Sequence, residues 1–250
     1  SAGVDVILTG PIPTPAVSML TKSLRADFGI MISASHNLFE DNGIKIFDDN
    51  GVKISDEMQY EIEKLLAMPY EKFYTEANKL GKVKRLDDVI GRYVEFVKSS
   101  ISRDISFKNV KIALDVANGA AYKIAPEIFT ELGAEVFVFN DEPNGENINH
   151  NCGSTHPGII SDMVQKLGCD IGIAVDGDAD RLIICDENGK IIDGDYIIAA
   201  IALSLLGQKA LKGGAVIVTI MSNLGLEKFL LSLGINVIRT PVGDRNVIAK

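Results

Sequence analysis

The sequence has 250 residues, of which 46% are hydrophobic and 24% are charged, which is the balance of an ordinary globular protein. Its net charge of -9 argues against nucleic acid or an anionic membrane as a partner, so an anionic ligand would need a local positive site. The cysteines, Cys152, Cys169 and Cys185, are odd in number and lack metal-ligand spacing, which favours a reducing, cytoplasmic setting.

Short apolar runs alternate with longer amphipathic stretches along the chain. The runs predict buried strands at 4–8, 29–32, 110–114, 136–139, 171–175, 215–218 and 237–238. The stretches predict helices at 15–24, 56–68, 87–99, 122–132, 158–167, 196–206 and 224–233. The apolar run at 196–206 is too short to span a bilayer, so it predicts a buried helix. Strands that alternate with helices predict α/β layers with mixed, mostly parallel sheets flanked by helices.

The sequence repeats itself weakly, which favours related α/β domains in tandem. Each repeat has a glycine suited to ending a helix and then an amphipathic strand, although one such match arises easily by chance. We predict α/β units over 1–86, 87–187 and 188–250. The first unit lacks a preceding helix and the third has too few strands, so the chain looks like the middle of a longer protein, truncated at both ends.

The sequence Asp-Gly-Asp-Ala-Asp-Arg at 176–181 directly follows an apolar predicted strand. Three carboxylates at alternate positions cannot all lie in a hydrophobic core, whereas a loop beyond the strand can turn them inward to bind Mg²⁺ or Ca²⁺. Asp176, Asp178 and Asp180 are therefore candidate metal ligands, and Arg181 offers a fork suited to phosphate. The alternatives are a solvated acidic turn and an EF-hand, and the latter fits poorly because Arg181 stands where that loop needs glycine.

The sequence Ser-Ala-Ser-His-Asn at 33–37 directly follows a predicted strand of the first repeat. This is the position that the aspartate loop occupies in the second repeat. A serine hydroxyl there can act as a nucleophile or carry a phosphoryl group, and His36 and Asn37 offer nearby donors. Lys45 follows the turn at 41–43 on a short strand, from which it could transfer protons. A loop serine is more often a cap or turn residue, and a lone lysine is more often solvated. The matching positions of the two loops favour the catalytic interpretation.

No glycine-rich nucleotide loop is present in the sequence, which favours a small phosphate ester over ATP as the phosphoryl donor. The residues by themselves therefore predict metal-assisted phosphoryl transfer.

The two loops, in this order and on these strands, resemble those of the α-D-phosphohexomutase superfamily, and the resemblance covers nearly the whole chain. It implies that Ser35, directly before His36, carries the phosphoryl group. Its phosphate oxygen would complete the shell of one Mg²⁺ per active site, together with the three aspartates. The resemblance places Lys45 as general acid/base and adds His36 and Arg181 as catalytic candidates. The family usually has proline where this chain has Leu38, a change that removes no chemical group.

Two segments, 144–157 and 240–245, are similar to the branch of this family that acts on glucosamine phosphate. Gly243, Asp244 and Arg245 are then candidate substrate-binding residues, with Arg245 for a phosphate and Asp244 for an ammonium or hydroxyl group. The alternative is an exposed Asp–Arg pair of little energetic value. The branch implies interconversion of glucosamine 6-phosphate and glucosamine 1-phosphate, with a hexosamine 1,6-bisphosphate as intermediate or activator. This reaction would feed amino-sugar nucleotide and cell-wall precursor synthesis.

Three other functions stay open. They are a mutase for glucose or mannose phosphate, a Mg²⁺-dependent sugar-phosphate phosphohydrolase, and a non-catalytic sugar-phosphate-binding protein. In each case the partner is a small-molecule sugar phosphate, with no nucleic acid and no membrane, and the protein would be a monomer or homodimer. The strand-end loop of the third repeat would fall beyond Lys250, so we expect that these residues alone do not turn over substrate.

Overall fold

Strands and helices alternate along the computed structural model, which describes residues 2–250. The chain divides into two compact units, one that ends at Gly189 and one that comprises Lys190–Lys250. The first unit contains both loops that the sequence singles out, so the fold of that unit decides how they meet.

The first part of this unit, up to residue 88, is built from short strands and helices. In chain order they are β1 (Val6–Leu8), α1 (Thr14–Ser23), β2 (Gly29–Ser33), β3 (Gly43–Phe47), α2 (Asp56–Leu66), two 3-10 helices (Tyr70–Phe73 and Ala77–Lys79) and β4 (Val83–Arg85). β1 pairs in parallel with β4, whereas β2 and β3 form an antiparallel pair in which Lys45 lies opposite Met31. Pro13 precedes α1 and Pro15 lies in its first turn, where proline is tolerated because no intrahelical N–H bond is required.

Residues 89–189 form the larger sheet of the unit. In chain order they contain α3 (Val89–Lys98), β5 (Lys111–Asp115), α4 (Ile124–Glu131), β6 (Glu135–Phe139), a 3-10 helix (Gly153–Thr155), α5 (Gly158–Leu167), β7 (Ile171–Val175) and β8 (Leu182–Cys185). The strand order is β6-β5-β7-β8, in which β5, β6 and β7 are parallel and β8 is antiparallel to β7. α5 ends at Gly168, whose φ of 62° is a left-handed conformation that favours glycine.

Apolar side chains cover both faces of this sheet. On one face, Ala113 of β5 and Ala174 of β7 pack with Ile160 and Val164 of α5. Leu114, the next residue along β5, belongs to the cluster on the opposite face, because successive strand residues point in opposite directions. Strands covered on both faces are apolar throughout, which explains why unbroken apolar runs predicted β5 and β7.

One apolar cluster joins the two parts of the first unit. Its buried members are Ile12, Ala16, Val17, Leu20, Phe47, Val89, Tyr93, Val94, Ile124 and Ile128. Residues of α1 and β3 therefore pack with residues of α3 and α4. This shared core ties β3, the partner of β2, to the part of the unit that contains β7.

The second unit is a small α/β layer. In chain order it contains β9 (Ile191–Ile192), α6 (Gly194–Gly207), a 3-10 helix (Lys212–Gly214), β10 (Ala215–Thr219), α7 (Leu224–Ser232), β11 (Asn236–Thr240) and α8 (Asp244–Ile248). β10 and β11 are parallel. The core of this layer consists of Ala202, Val218, Leu226, Leu230 and Ile235.

The fold confirms tandem α/β layers with mixed, mostly parallel sheets flanked by helices. Two sequence expectations of burial are wrong. β1 is a strand but not a buried one, since all three of its residues are exposed. α6 is likewise a helix but not a buried one. Ala202 is buried, whereas Tyr196 is 72% exposed and Ile201 is 55% exposed. One side of α6, which includes Ile198 and Ala199, packs on the core of the layer, so its other apolar residues stay exposed. Among residues 2–250, no helix combines the length and apolar character that crossing a membrane requires.

Candidate functional site

Three aspartates lie close together in the loop that directly follows β7. Asp176 is 0% exposed, Asp178 is 1% exposed, and Asp180 is exposed. One carboxylate oxygen of each lies within 4.8 Å of the others. The loop is held in shape by Asp176 Oδ1, which accepts the backbone N–H groups of Asp180 and Arg181 at 3.1 Å each. Ala179, with a φ of 54°, makes the turn that brings the carboxylates to one side.

Two carboxylate oxygens of this loop suit a bound cation. Asp176 Oδ2 and Asp178 Oδ1 are buried and have no hydrogen-bond partner within the described part of the chain. Arg181 Nε lies 3.9 Å from Asp176 Oδ2, which is too far for a hydrogen bond. Buried charged oxygens without partners are costly, and a hard divalent cation such as Mg²⁺ compensates them. The loop is flanked by β7 and β8 rather than by helices, which excludes the EF-hand alternative.

The surroundings give the two buried aspartates opposite pKa shifts. Burial, together with the charge of the neighbouring Asp178 carboxylate, raises the pKa of Asp176 to about 6. Burial also acts on Asp178, but hydrogen bonds from Lys45 and Thr14 outweigh it and lower the pKa of that carboxyl. At neutral pH both aspartates are therefore ionised, and Asp176 is the one that takes up a proton first as the pH falls.

The raised pKa of Asp176 predicts a pH-dependent metal affinity. A proton must leave this carboxyl before a cation binds, so we expect Mg²⁺ affinity to rise roughly tenfold between pH 5 and pH 7. Without metal, the folded chain holds this proton up to about pH 6, whereas the unfolded chain releases it near pH 4. Stability of the metal-free chain should therefore fall as the pH rises through this window. Calorimetric Mg²⁺ titrations and unfolding curves at several pH values measure both effects.

A suitable control for this prediction is Asp162→Asn, which changes an exposed aspartate of α5. It should keep the pH dependence of the parent chain, whereas Asp176→Asn should lose the fall in stability between about pH 4 and pH 6. Equal Mg²⁺ affinity at pH 5 and pH 7 would contradict the role given to Asp176.

Lys45 reaches this loop from β3. Its Nζ donates to Asp180 Oδ2 at 2.9 Å and also to Asp178 Oδ2. The Lys45 side chain is 20% exposed, so it is not a solvated edge residue. Burial by itself lowers the pKa of Lys45, but the hydrogen bonds to the two aspartates outweigh it and raise the pKa. Lys45 is therefore held protonated at neutral pH.

Ser35 lies in the loop that directly follows β2. It has a φ of 54°, a left-handed conformation that is uncommon for residues other than glycine. Its backbone N–H donates to Ser33 Oγ at 2.8 Å, and the Asn37 N–H donates to the Ala34 carbonyl at 3.0 Å, so the loop is a tight turn. The next residue, His36, has a buried Nδ1 with no hydrogen-bond partner in the part of the chain described.

Thr14 is a residue of this site that sequence reasoning missed. Its hydroxyl donates to Asp178 Oδ2 at 2.5 Å, and its backbone N–H donates to the Asp178 carbonyl at 2.9 Å. The sequence signal that points to it is the proline-rich turn at 10–15, which leads rigidly into α1 and places Thr14 at its first position.

Asn149 was also missed, and it connects the two loops. Its side-chain NH₂ donates to the carbonyl groups of Ser35 at 2.8 Å and Asn37 at 2.7 Å. Its side-chain oxygen accepts the Gly177 N–H at 2.8 Å. Asn149 belongs to the segment 144–157, which the sequence marks only by resemblance and not by any chemical role.

The remaining candidates lie at the edge of this group or in the other unit. Arg181 follows the aspartates, and its side chain is 54% exposed. Gly243, Asp244 and Arg245 lie in Lys190–Lys250, where Gly243 directly precedes α8. The three cysteines are free thiols and all are buried. The structure thus brings together Ser35 and His36, Lys45 and the three aspartates within the first unit.

Comparison with known protein families gives three consecutive matches along the chain. The models for alpha/beta/alpha domains I, II and III of phosphoglucomutase/phosphomannomutase match residues 1–72, 91–189 and 193–250. The chain is therefore a tandem series of related α/β domains.

Individual proteins agree with this result. A phosphoglucosamine mutase of Allorhizobium ampelinum is 55% identical over 248 residues, which cover 99% of this chain and 55% of that protein. The phosphoglucosamine mutase of Bradyrhizobium diazoefficiens is 52% identical over 99% of this chain and 56% of its own length. A phosphoglucomutase/phosphomannomutase family protein of Burkholderia thailandensis has a crystal structure similar to this chain, with a TM-score of 0.80 and 27% identity over 99% of this chain and 54% of that chain. The chain spans about half the length of the curated relatives it matches.

Proposed function

Because this chain belongs to the α-D-phosphohexomutase superfamily, we propose that it acts in the interconversion of glucosamine 6-phosphate and glucosamine 1-phosphate. The observation that carries the proposal is the group of three aspartates, whose two buried, unpartnered oxygens suit Mg²⁺. Lys45 bonds to the same loop, and Asn149 ties the loop of Ser35 to it. The amino sugar is proposed from the relatives, since those at 52% and 55% identity are named phosphoglucosamine mutases.

In this proposal Ser35 carries the phosphoryl group and the three aspartates hold one Mg²⁺ together with a phosphate oxygen. The cation would neutralise negative charge on the transferring group. Lys45 starts as the acid because its carboxylate neighbours keep it protonated. It gives its proton to Ser35 Oγ as the bond from that oxygen to phosphorus breaks. The oxygen of the free sugar hydroxyl forms the new bond to phosphorus and releases its proton to water, from which Lys45 is protonated again. His36 and Arg181 would steady the phosphate oxygens.

The sugar bisphosphate formed in this way would turn round and return its other phosphoryl group to Ser35. Gly243, Asp244 and Arg245 are proposed to contact the sugar phosphate, with Arg245 on a phosphate.

We also propose that the chain comprises α/β domains 1–86, 87–187 and 188–250. The free, buried cysteines support a cytoplasmic location, because thiols stay reduced there.

The preference for an amino sugar is testable by kinetics. We expect the complete gene product to use glucosamine 6-phosphate with a kcat/KM at least about tenfold above that for glucose 6-phosphate, because a site built for an ammonium group leaves polar atoms unpaired with the other sugar. Initial rates with both sugars, and with mannose 6-phosphate as a further comparison, measure this ratio.

Two results would change this proposal. A preference for glucose or mannose phosphate would refute the amino-sugar assignment but keep the mutase. Release of inorganic phosphate in proportion to substrate consumed would instead identify a phosphohydrolase.

A further inference from the structure

We propose that Asn149 is a positioning residue that holds the loop of Ser35 (33–38) against the loop of the three aspartates (176–181). The predicted effect of Asn149 on the rigidity of the two loops follows from the geometry alone. Its predicted effect on turnover rests on the proposed function. The side-chain hydrogen bonds of Asn149 go to backbone groups of the two loops and to none of the aspartate carboxylates or the Ser35 hydroxyl, so it acts through the backbone of the loops.

The hydrogen bonds of Asn149 use its amide group almost completely. Its side chain is buried, since the residue is 2% exposed. Both NH₂ hydrogens are directed at carbonyl groups of one loop, those of Ser35 and Asn37, and the oxygen accepts from Gly177 of the other loop. A flipped amide would place its oxygen against two carbonyl oxygens and its NH₂ against an N–H donor. The orientation is therefore fixed by chemistry, and only asparagine supplies this set of groups at this length.

The backbone around Asn149 makes it a fixed anchor rather than a mobile bridge. Its own φ is 58°, a conformation that asparagine tolerates better than most residues, and its N–H donates to the Ala117 carbonyl at 3.0 Å. The aspartate loop approaches it closely, because a Cβ added to Gly177 would lie 2.8 Å from Asn149 Nδ2 and 2.6 Å from Ile148 Cδ1. The glycine between Asp176 and Asp178 therefore permits this contact.

The contact matters because phosphoryl transfer depends on the distance between the two loops. A phosphoryl group on Ser35 can reach a cation on the aspartates only if both loops keep their separation. A displacement of about 1 Å at such a site can cost about a hundredfold in rate. Asn149 lies 114 residues from Ser35 in the sequence and connects the two loops with three hydrogen bonds between neutral groups. A charged residue at this position would alter the electrostatics of the aspartates.

Hydrogen–deuterium exchange of two Asn149 variants tests the inference. Asn149→Gly keeps the left-handed backbone but removes all three side-chain bonds, so amide exchange should become at least about tenfold faster in both 33–38 and 176–181. Asn149→Asp keeps an oxygen for the Gly177 N–H but turns a carboxylate oxygen toward the Ser35 and Asn37 carbonyls. Exchange should then rise in 33–38 and stay near the parent value at Gly177.

The matched controls are Asn109→Gly and Asn109→Asp. Asn109 is also left-handed, with a φ of 68°, and it is exposed beside the start of β5. Neither control should change exchange in the two loops. A general loss of stability would raise amide exchange throughout the chain. The exchange patterns of Asn149→Asp and Asn149→Gly would then not differ between the two loops.

Turnover supplies a second readout. In the complete gene product, Asn149→Asp should lower kcat at least about tenfold with little change in KM, since substrate binding is not its role. Unchanged exchange in both loops, or the same pattern in Asn149→Gly and Asn149→Asp, would overturn the inference. If the parent protein lacks mutase activity while the loop-selective exchange is present, the proposed function fails and the positioning role of Asn149 stands.

Discussion

Replacement of Ser35 by alanine is expected to remove phosphoryl uptake and to lower mutase turnover by at least about a thousandfold, because the acceptor oxygen is lost. The complete gene product would be incubated with Mg²⁺ and glucosamine 1,6-bisphosphate. Intact mass then shows whether one phosphoryl group has been added, and peptide mapping locates it. The parent should gain one phosphoryl group on Ser35, and the variant should gain none.

Two further variants separate the hydroxyl group from the backbone. Ser35→Gly suits the φ of 54° better than alanine does, so it relieves backbone strain but should remain inactive. Ser33→Ala removes the other hydroxyl of the loop, which accepts the Ser35 N–H, and should still be phosphorylated. Undiminished turnover by Ser35→Ala, or a phosphate mapped to Ser33, would show that the wrong serine has been assigned.

Asp178→Asn is expected to weaken Mg²⁺ binding by at least about tenfold while the fold is kept, since ligand charge sets the affinity of such sites. Asp178 Oδ2 accepts from Thr14 and Lys45, and an amide oxygen can take that place. The amide NH₂ then replaces Oδ1, the oxygen without a partner, and presents donors where a cation needs a ligand. Mg²⁺ titration by calorimetry measures the loss.

Asp162→Asn provides the matched control, because it removes the same charge from an exposed position on α5. Its Mg²⁺ affinity and Tm should equal those of the parent chain. An unchanged affinity in Asp178→Asn would contradict the metal site, whereas a large fall in Tm without metal would show that the variant disturbs folding instead.

Local patterns were sufficient to predict much of the fold. β5 and β7 are covered by apolar side chains on both faces, so their sequences are apolar runs that can be recognised without any other information. β4 was not predicted because all three of its residues are exposed and two of them are basic, which leaves no apolar pattern. α8 was not predicted because its five residues are too few to show a helical period.

The candidate site was predictable only where its chemistry is local. The aspartate loop and the serine loop each carry their signal within six consecutive residues or fewer, so the sequence alone identifies them. The proline-rich turn at 10–15 marks the place of Thr14 but not its chemical role, and Asn149 carries no local signal, because their partners are 164 and 114 residues away. Which loops meet depends on the shared core of α1, β3, α3 and α4, and single-sequence patterns contain no information about that packing.

The shared core has a consequence for motion during the proposed reaction. It keeps the serine loop and the aspartate loop within one compact unit, whose ordering entropy is lost at folding and not again in each catalytic cycle. A bisphosphate that turns round between two transfers needs free space and transient release. Reorientation of the bisphosphate would therefore leave Lys45 and the three aspartates in place. The same preorganised electrostatic environment would then serve both the first phosphoryl transfer and the return transfer.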